Sequence, residues 1–427
     1  MKNIYHNLLH SKYFAQLQSR LHFDLTYFIS SSFLMSIQQF IGVICGLIIS
    51  YVFGHFTSKQ LFGEYNLILS VFGFLTIITL PGVDNYLTRS IAQGYESSYV
   101  KAVKAKLLLS LLGLGILSII SKYYHLQGQE VLGSAFLVTA LLFPLYHAPL
   151  LFNEFLTAKL QFKTLTIFLS LSSMITAVLT VIAILLKGSL SLIVGFYFLG
   201  TVVPGIVAFL YSFRFYKKSQ KKEDKTLIKY GLFNTLLTII PWSTGYIGQI
   251  LIGTFLGPEQ LAVFVVANKL PMYIQKNLFV FYKPVTAKLA HQSYKQHVET
   301  IKTHMVKFLG LGALLTLAIF ITSPYVIKFI FTATYNDAIP VAQVLSLSVL
   351  PLPLSWVLGD IVIFQKIKKM RVYGSLFMNI LKISLYVILI PIYKVQGLVM
   401  VILIERFLSP VINIFILNRL KNKSAEI

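Results

Sequence analysis

The chain is poor in cysteine, in acidic residues and in long polar segments. It has one cysteine, Cys45, among its 427 residues, so it cannot form an intramolecular disulfide. Only 12% of its residues are charged, and just 14 are acidic against 37 basic. No connection between its apolar segments is long enough for a soluble catalytic domain. No GxxxxGK[ST] sequence occurs either, which excludes an ATPase of the P-loop type.

The chain is instead rich in apolar residues. Hydrophobic residues make up 56% of the chain, and its mean hydropathy is +0.76. The apolar runs recur at regular intervals, each close to the ~20 residues that a helix needs to cross a bilayer. The sequence predicts an all-α membrane protein with about twelve transmembrane helices, at 28–54, 61–83, 105–122, 130–152, 164–186, 190–213, 230–256, 260–284, 305–330, 338–363, 372–391 and 396–418.

The connections between these helices alternate in basic content. Clusters of Lys and Arg follow the second, fourth, sixth, eighth and tenth helices, whereas the other connections carry single lysines near Lys59, Lys122, Lys187 and Lys394. An excess of Lys and Arg marks the cytoplasmic side, so both termini are predicted to face the cytoplasm. Most of the net charge of +23 is then a topology signal, and no nucleic-acid partner is expected.

The same pattern divides the chain into two six-helix lobes, 28–213 and 230–419. A basic cytoplasmic linker at 214–229 joins the lobes, and a cytoplasmic tail covers 420–427. We expect residues 1–27 to form an interfacial helical segment rather than a cleaved signal peptide, because a short apolar core with a small-residue cleavage site is absent.

An internal repeat supports the two lobes. A shift of 199 residues aligns VFGHFTSKQLFGEY (52–65) with LIGTFLGPEQLAVF (251–264), so that Gly54 meets Gly253 and Phe62 meets Leu261. Both segments lie at the turn between the first two helices of a lobe, and both lobes have the same orientation. The sequence therefore predicts a parallel repeat with a substrate path between the lobes.

Several cations lie inside predicted spans. In NKLPMYIQKNLFVFYKP (268–284) lysines recur every seven residues, which places them on one helix face. Charges in a bilayer usually face a cavity or a partner, so we expect a cationic lumen suited to an anionic cargo such as a phosphate- or pyrophosphate-bearing lipid. The substrate-binding candidates are Lys269, Lys276, Lys382 and Arg406. A structural pair with a neighbouring acid is the alternative for Arg406.

Acidic residues inside or near the spans are fewer. Candidates for coupling or gating are Asp84, Arg89, Asp360 and Glu405. The alternatives are that Asp84 and Arg89 brace the connection after the second helix, and that Asp360 lies at the membrane interface. No metal or other cofactor is expected.

One segment resembles a known family. GHFTSKQLFGEYNLILSVFGFLTIITLPGVDNYLTRSIAQG (54–94) resembles the start of the polysaccharide flippases of the multidrug/oligosaccharidyl-lipid/polysaccharide (MOP) superfamily. The segments 331–353 and 390–398 resemble later parts of the same family. The first match rests on Gly54, Phe62, Gly63, Tyr65, Gly82, Asp84, Arg89, Ala92 and Gly94.

The resemblance implies a twelve-helix, two-lobe transporter that works by alternating access. Its cargo would be an undecaprenyl-pyrophosphate-linked oligosaccharide, such as an O-antigen or capsule repeat unit, moved to the outer leaflet of a bacterial plasma (inner) membrane. Further implied partners are membrane lipids, a coupling ion (H+ or Na+) and the polysaccharide polymerase machinery. The buried lysines do not match known functional positions of the family one for one.

Other functions stay open at this stage. The superfamily also contains multidrug exporters and other lipid exporters, although exporters of peptidoglycan precursors typically have two additional helices for which this chain has no room. A membrane glycosyltransferase, polymerase or ligase would typically need a large outer loop or an acidic catalytic motif, and the sequence shows neither. We therefore expect that the protein is not an enzyme.

Overall fold

A computed structural model describes residues 25–216, 223–290, 294–365 and 368–425. Within these ranges the chain forms α-helices joined by short turns, and it contains no β-strand. The predicted interfacial segment before Leu25 lies outside the described residues. So do the centre of the predicted linker (217–222) and the end of the tail (426–427).

The helices fall into an N-terminal half (25–216) and a C-terminal half (223–425). Those of the N-terminal half are α1 Leu25–Phe56, α2 Lys59–Leu75, α3 Pro81–Ala92, α4 Ser97–Leu126, α5 Glu130–His147, α6 Phe152–Ala158, α7 Phe162–Leu185 and α8 Leu190–Ser212. Those of the C-terminal half are α9 Leu227–Leu251, α10 Pro258–Ala290, α11 Tyr294–Phe331, α12 Ala338–Ser346, α13 Leu352–Phe364 and α14 Lys368–Ala425.

Nine segments of the described residues are long and apolar enough to cross a membrane. One of them, Val372–Arg419, contains two helices that meet at a kink at Lys394, where the backbone φ is 54°. Helices α9 and α10, which are interrupted by polar residues, are not among the nine but pack against α2 and α3 inside the bundle. The predicted all-α membrane fold is confirmed.

Two predicted boundaries were wrong at one end of the bundle. The second span was predicted to continue to residue 83, but Leu80 adopts a left-handed φ of 55° and Pro81 starts the separate helix α3. The third span begins at Ser97 rather than at 105. Asp84 and Arg89 therefore lie on the separate helix α3, and Lys106 lies inside α4.

The two halves pack closely at the end of the bundle that carries the turns at 57–58 and Gly257, called here the opposite end. A Cβ atom on Gly63 of α2 would lie 1.8 Å from the carbonyl oxygen of Pro258 in α10, so only glycine permits this approach. Phe62 and Leu261, which the repeat aligns with each other, are both buried in one apolar cluster. Segments equivalent in the repeat thus contact each other across the two halves.

The other end, called the basic end, carries Arg89 and the cationic connections. Here α3 packs against α9, and the rings of Tyr86 and Tyr230 stack with their centroids 5.1 Å apart. The backbone N–H of Gly82 donates to the Thr235 hydroxyl at 3.0 Å. The halves therefore also meet at this end, through α3 and α9.

The Gly63 contact yields a test of the packing between the halves. We expect Gly63→Ala to lower the free energy of unfolding by about 1–3 kcal/mol, because the backbone carbonyl of Pro258 cannot move aside as a flexible side chain would. Gly115→Ala in α4 is the matched control, since no atom lies within 4 Å of its added Cβ. Thermal unfolding of the purified protein in detergent compares the two, and equal midpoints would contradict the close approach.

Candidate functional site

A polar cavity of about 460 Å³ lies in the N-terminal half. Its walls come from α1, α2, α5, α6, α7 and α8, and α10 of the C-terminal half closes one side. We call it the N-cavity. Its lining residues are Gln38, Gly42, Cys45, Gly46, Ile49, Phe62, Tyr65, Asn66, Leu69, Tyr146, Leu150, Asn153, Leu169, Ser172, Ser173, Thr176, Tyr197, Thr201, Lys269 and Tyr273.

Lys269 is the one charged side chain among these lining residues, and it reaches the N-cavity from α10. Its ammonium donates to the Ser50 hydroxyl of α1 and lies 5.7 Å and 5.6 Å from the ring centroids of Phe62 and Phe331. It forms no ion pair with any described carboxylate. A hydroxyl and two aromatic faces thus take the place of the counter-ion that a charge within a membrane usually has.

Hydroxyl and amide groups supply the remaining polar surface of the N-cavity, beside apolar side chains. Tyr65, Tyr146 and Tyr197 line it together with Asn66 and Asn153, and no lining residue is acidic. The side-chain oxygen of Asn153 is buried without a hydrogen-bond partner among the described residues. Such a surface can bind the hydroxyl groups of a sugar through hydrogen bonds and its ring faces through aromatic contact.

The sequence prediction missed these neutral polar residues. Tyr146, Tyr197 and Asn153 carry no charge and do not form a motif, and polar residues are tolerated in a membrane helix for packing as often as for binding. Their positions on helices far apart in sequence converge only in the folded bundle. The signal that could have found Asn153 is its position directly after the apolar fourth span predicted at 130–152.

The C-terminal half contains two adjoining cavities of about 310 and 250 Å³, both lined by Ser409 and Asn413 of α14. We call them together the C-cavity. Lys382 and Glu405 line the first part and form an ion pair at 2.7 Å across the two segments of α14. The Lys382 ammonium is therefore neutralised by a carboxylate, unlike that of Lys269.

Asp360 and Arg406 line the second part of the C-cavity. The Asp360 carboxylate accepts hydrogen bonds from Tyr282 at 2.9 Å and from Thr286 at 2.6 Å. The Arg406 guanidinium donates to the Gln275 amide oxygen at 3.2 Å. With Lys382 and Glu405, the C-cavity holds equal numbers of acidic and basic side chains, whereas the N-cavity carries one uncompensated positive charge.

The remaining candidates lie outside these cavities. Lys276 is exposed on α10 and lines neither cavity. Asp84 accepts from the Lys106 ammonium at 2.6 Å through both carboxylate oxygens, and Arg89 is exposed beside the Tyr86 ring. Burial raises the pKa of the Asp84 carboxyl, and the Lys106 ammonium acts in the opposite direction.

A comparison with protein-family models identifies the family of the chain. The model described as "Polysaccharide biosynthesis protein" matches residues 28–290, which is more than half of the chain. The chain belongs to the polysaccharide biosynthesis protein family. No curated protein matches its sequence.

Solved structures agree with the fold of this polysaccharide biosynthesis protein. An inward-facing multidrug resistance MATE family transporter of the MOP superfamily is similar at a TM-score of 0.67 and 14% identity, over 92% of this chain and 99% of that one. An outward-facing structure, also of a multidrug resistance MATE family transporter of the MOP superfamily, has a TM-score of 0.62 at 14% identity, over 93% of this chain and 96% of that one. A MOP superfamily transporter from Pyrococcus furiosus, whose title describes reverse polarity of its binding pocket, has a TM-score of 0.61 at 14% identity, over 92% and 96%. The protein is a multi-pass membrane protein with the MOP transporter fold.

The Asp84–Lys106 ion pair can be tested by a double-mutant cycle. Lys106 is buried, with 7% of its side chain exposed, so Asp84→Asn leaves a buried charge without a counter-ion. We expect Asp84→Asn to lower the free energy of unfolding by about 3–5 kcal/mol, and Asp84→Asn/Lys106→Met to restore most of it. Arg89→Gln, at an exposed position of the same helix, is the control and should leave the unfolding midpoint unchanged. Equal effects of Asp84→Asn and Arg89→Gln would show that the pair is not structural.

Proposed function

We propose that this polysaccharide biosynthesis protein is a flippase. It moves undecaprenyl-pyrophosphate-linked oligosaccharide repeat units from the cytoplasmic to the outer leaflet by alternating access. The observation that carries the proposal is the N-cavity, in which Lys269 lacks a carboxylate partner among the described residues and stands beside a lining of hydroxyl and amide groups.

The chemistry of the N-cavity fits both parts of such a cargo. A pyrophosphate carries negative charge and acceptor oxygens, for which a lysine ammonium supplies charge-assisted hydrogen bonds. The sugar residues carry many hydroxyl groups, for which Tyr146, Tyr197, Asn66 and Asn153 supply donors and acceptors. The family, described by polysaccharide biosynthesis, supports a glycan as the cargo.

Export of cationic drugs is the second candidate, because structures described as multidrug resistance transporters share the fold. A site for a cation needs an accessible acidic centre, and the N-cavity lining contains no carboxylate. In the C-cavity, Glu405 pairs with Lys382, and Asp360 accepts two hydroxyl hydrogen bonds. The positive charge of the N-cavity therefore favours an anionic cargo, and the charge-balanced C-cavity offers no unpartnered carboxylate for a cation.

The orientation and the partners follow from the same proposal. The basic end faces the cytoplasm of a bacterial cell, the membrane is the plasma membrane, and both termini are cytoplasmic. The C-cavity, with Asp360, Arg406 and the Lys382–Glu405 pair, is the place where a coupling ion (H+ or Na+) can act. The flipped cargo then passes to the polysaccharide polymerase machinery, and the protein itself catalyses no bond formation.

Lys269 variants test the proposal. At matched protein levels in cells that lack the native protein, we expect Lys269→Gln to reduce glycan export about 10- to 100-fold, the value of one hydrogen bond to a charged group. Lys269→Arg keeps the positive charge and should retain part of the export. Lys276 is exposed and lies seven residues further along α10, so Lys276→Gln is the matched control and should export normally.

Surface glycan is measured with the protein amount in the membrane determined by immunoblot. Normal export by Lys269→Gln would contradict the role of the N-cavity charge. Equal losses for Lys269→Gln and Lys276→Gln would indicate a general effect of the α10 lysines on insertion rather than on cargo.

A further inference from the structure

Two side-chain hydrogen bonds connect the halves at similar positions. The Lys269 ammonium of α10 donates to the Ser50 hydroxyl of α1. The Ser70 hydroxyl of α2 shares its hydrogen between the Asn66 carbonyl of its own helix at 2.7 Å and the Gln249 side-chain oxygen of α9 at 3.1 Å. Each bond joins one of the first two helices of the N-terminal half to one of the first two helices of the C-terminal half.

The internal repeat relates these two bonds to each other. The shift that aligns Gly54 with Gly253 also aligns Ser50 with Gln249 and Ser70 with Lys269. The contact between α1 and α10 is therefore the repeat equivalent of the contact between α9 and α2. The two equivalent contacts lie on either side of the pseudo-two-fold axis that relates the halves. Both of them therefore restrain movement of one half relative to the other.

Both bonds lie beside the packed part of the opposite end. Ser50 and Ser70 are buried, with 0% and 3% exposure. Between them and the opposite end lie Phe53, Phe62 and Phe331, which belong to one apolar cluster drawn from both halves. At the surface of that end Lys59 pairs with Asp337 at 2.6 Å, again across the halves. Opening the opposite end must separate α1 and α2 from α9 and α10, which breaks both hydrogen bonds.

We propose that these two repeat-related hydrogen bonds form a latch that holds the opposite end closed, and that an anionic group in the N-cavity releases it by drawing the Lys269 ammonium away from Ser50. The inference rests on the proposed function and adds how cargo binding is coupled to opening. The two bonds differ in charge. The Ser70–Gln249 bond is neutral and does not respond to an anion, whereas Lys269 lines the N-cavity and exchanges a neutral acceptor for a charged one.

The latch is tested without any ligand by a distance measurement between spin labels. Labels at Gln127→Cys and Asn336→Cys lie on exposed positions at the opposite end of the two halves, in a Cys45→Ser background without other cysteines. We expect Ser50→Ala and Ser70→Ala each to raise the ratio of open to closed distances about two- to tenfold, as expected for the loss of one hydrogen bond. Ser110→Ala is the matched control, because this buried serine donates only to the Leu107 carbonyl of its own helix.

Inorganic pyrophosphate is the probe for release. In the labelled parent and in Ser70→Ala it should raise the open population further, whereas in Lys269→Gln it should have no effect. In Ser50→Ala the bond that pyrophosphate is proposed to break is already absent. The rise in the open population should therefore be smaller than in Ser70→Ala.

The outcomes separate this inference from the proposed function. Unchanged distances in both Ser50→Ala and Ser70→Ala would overturn the latch even if Lys269→Gln abolishes export. A pyrophosphate response that persists in Lys269→Gln would overturn release through Lys269. Normal export by Lys269→Gln would instead overturn the proposed function, and it leaves the ligand-free distances as an independent measure of the latch.

Discussion

The cost of placing a charge inside a membrane decides where each buried cation of this protein lies. Lys106 is paired with Asp84, and Lys382 with Glu405. Lys269 has no carboxylate partner among the described residues, and its ammonium contacts a hydroxyl and two aromatic rings instead. That incomplete compensation leaves a positive charge available to the N-cavity. The proposed cargo, the proposed latch and the contrast between the two cavities all depend on it.

The repeat explains why this charge lies between the halves. Under its shift of 199 residues, the same pair of positions meets twice at the contact of the halves. With Lys269 in one copy and Ser70 in the other, one bond is charged and its counterpart is neutral. We infer that both copies of the contact hold the opposite end closed, and that only the Lys269–Ser50 copy responds to cargo.

The helical fold and the family were predicted well from the sequence. Long apolar runs indicate the membrane spans, and a constant shift in residue number indicates the repeat. Lys269 was found because a charge inside such a run is conspicuous. The partners of the charges were not predicted, since Lys382 and Glu405 pair only when the two segments of α14 fold back at Lys394. Three neutral residues of the N-cavity lining were missed for the same reason. Tyr146, Tyr197 and Asn153 are neutral residues that meet only in the bundle.

The measurement that tests the central claim most directly is the leaflet distribution of lipid-linked oligosaccharides in cells that lack this protein. The account predicts complete repeat units that accumulate on the cytoplasmic leaflet, where they are protected from reagents added outside. Truncated units would point to a glycosyltransferase, and complete units on the outer leaflet to a polymerase or ligase. An unchanged pool in both leaflets would contradict a flippase and favour export of a different cargo.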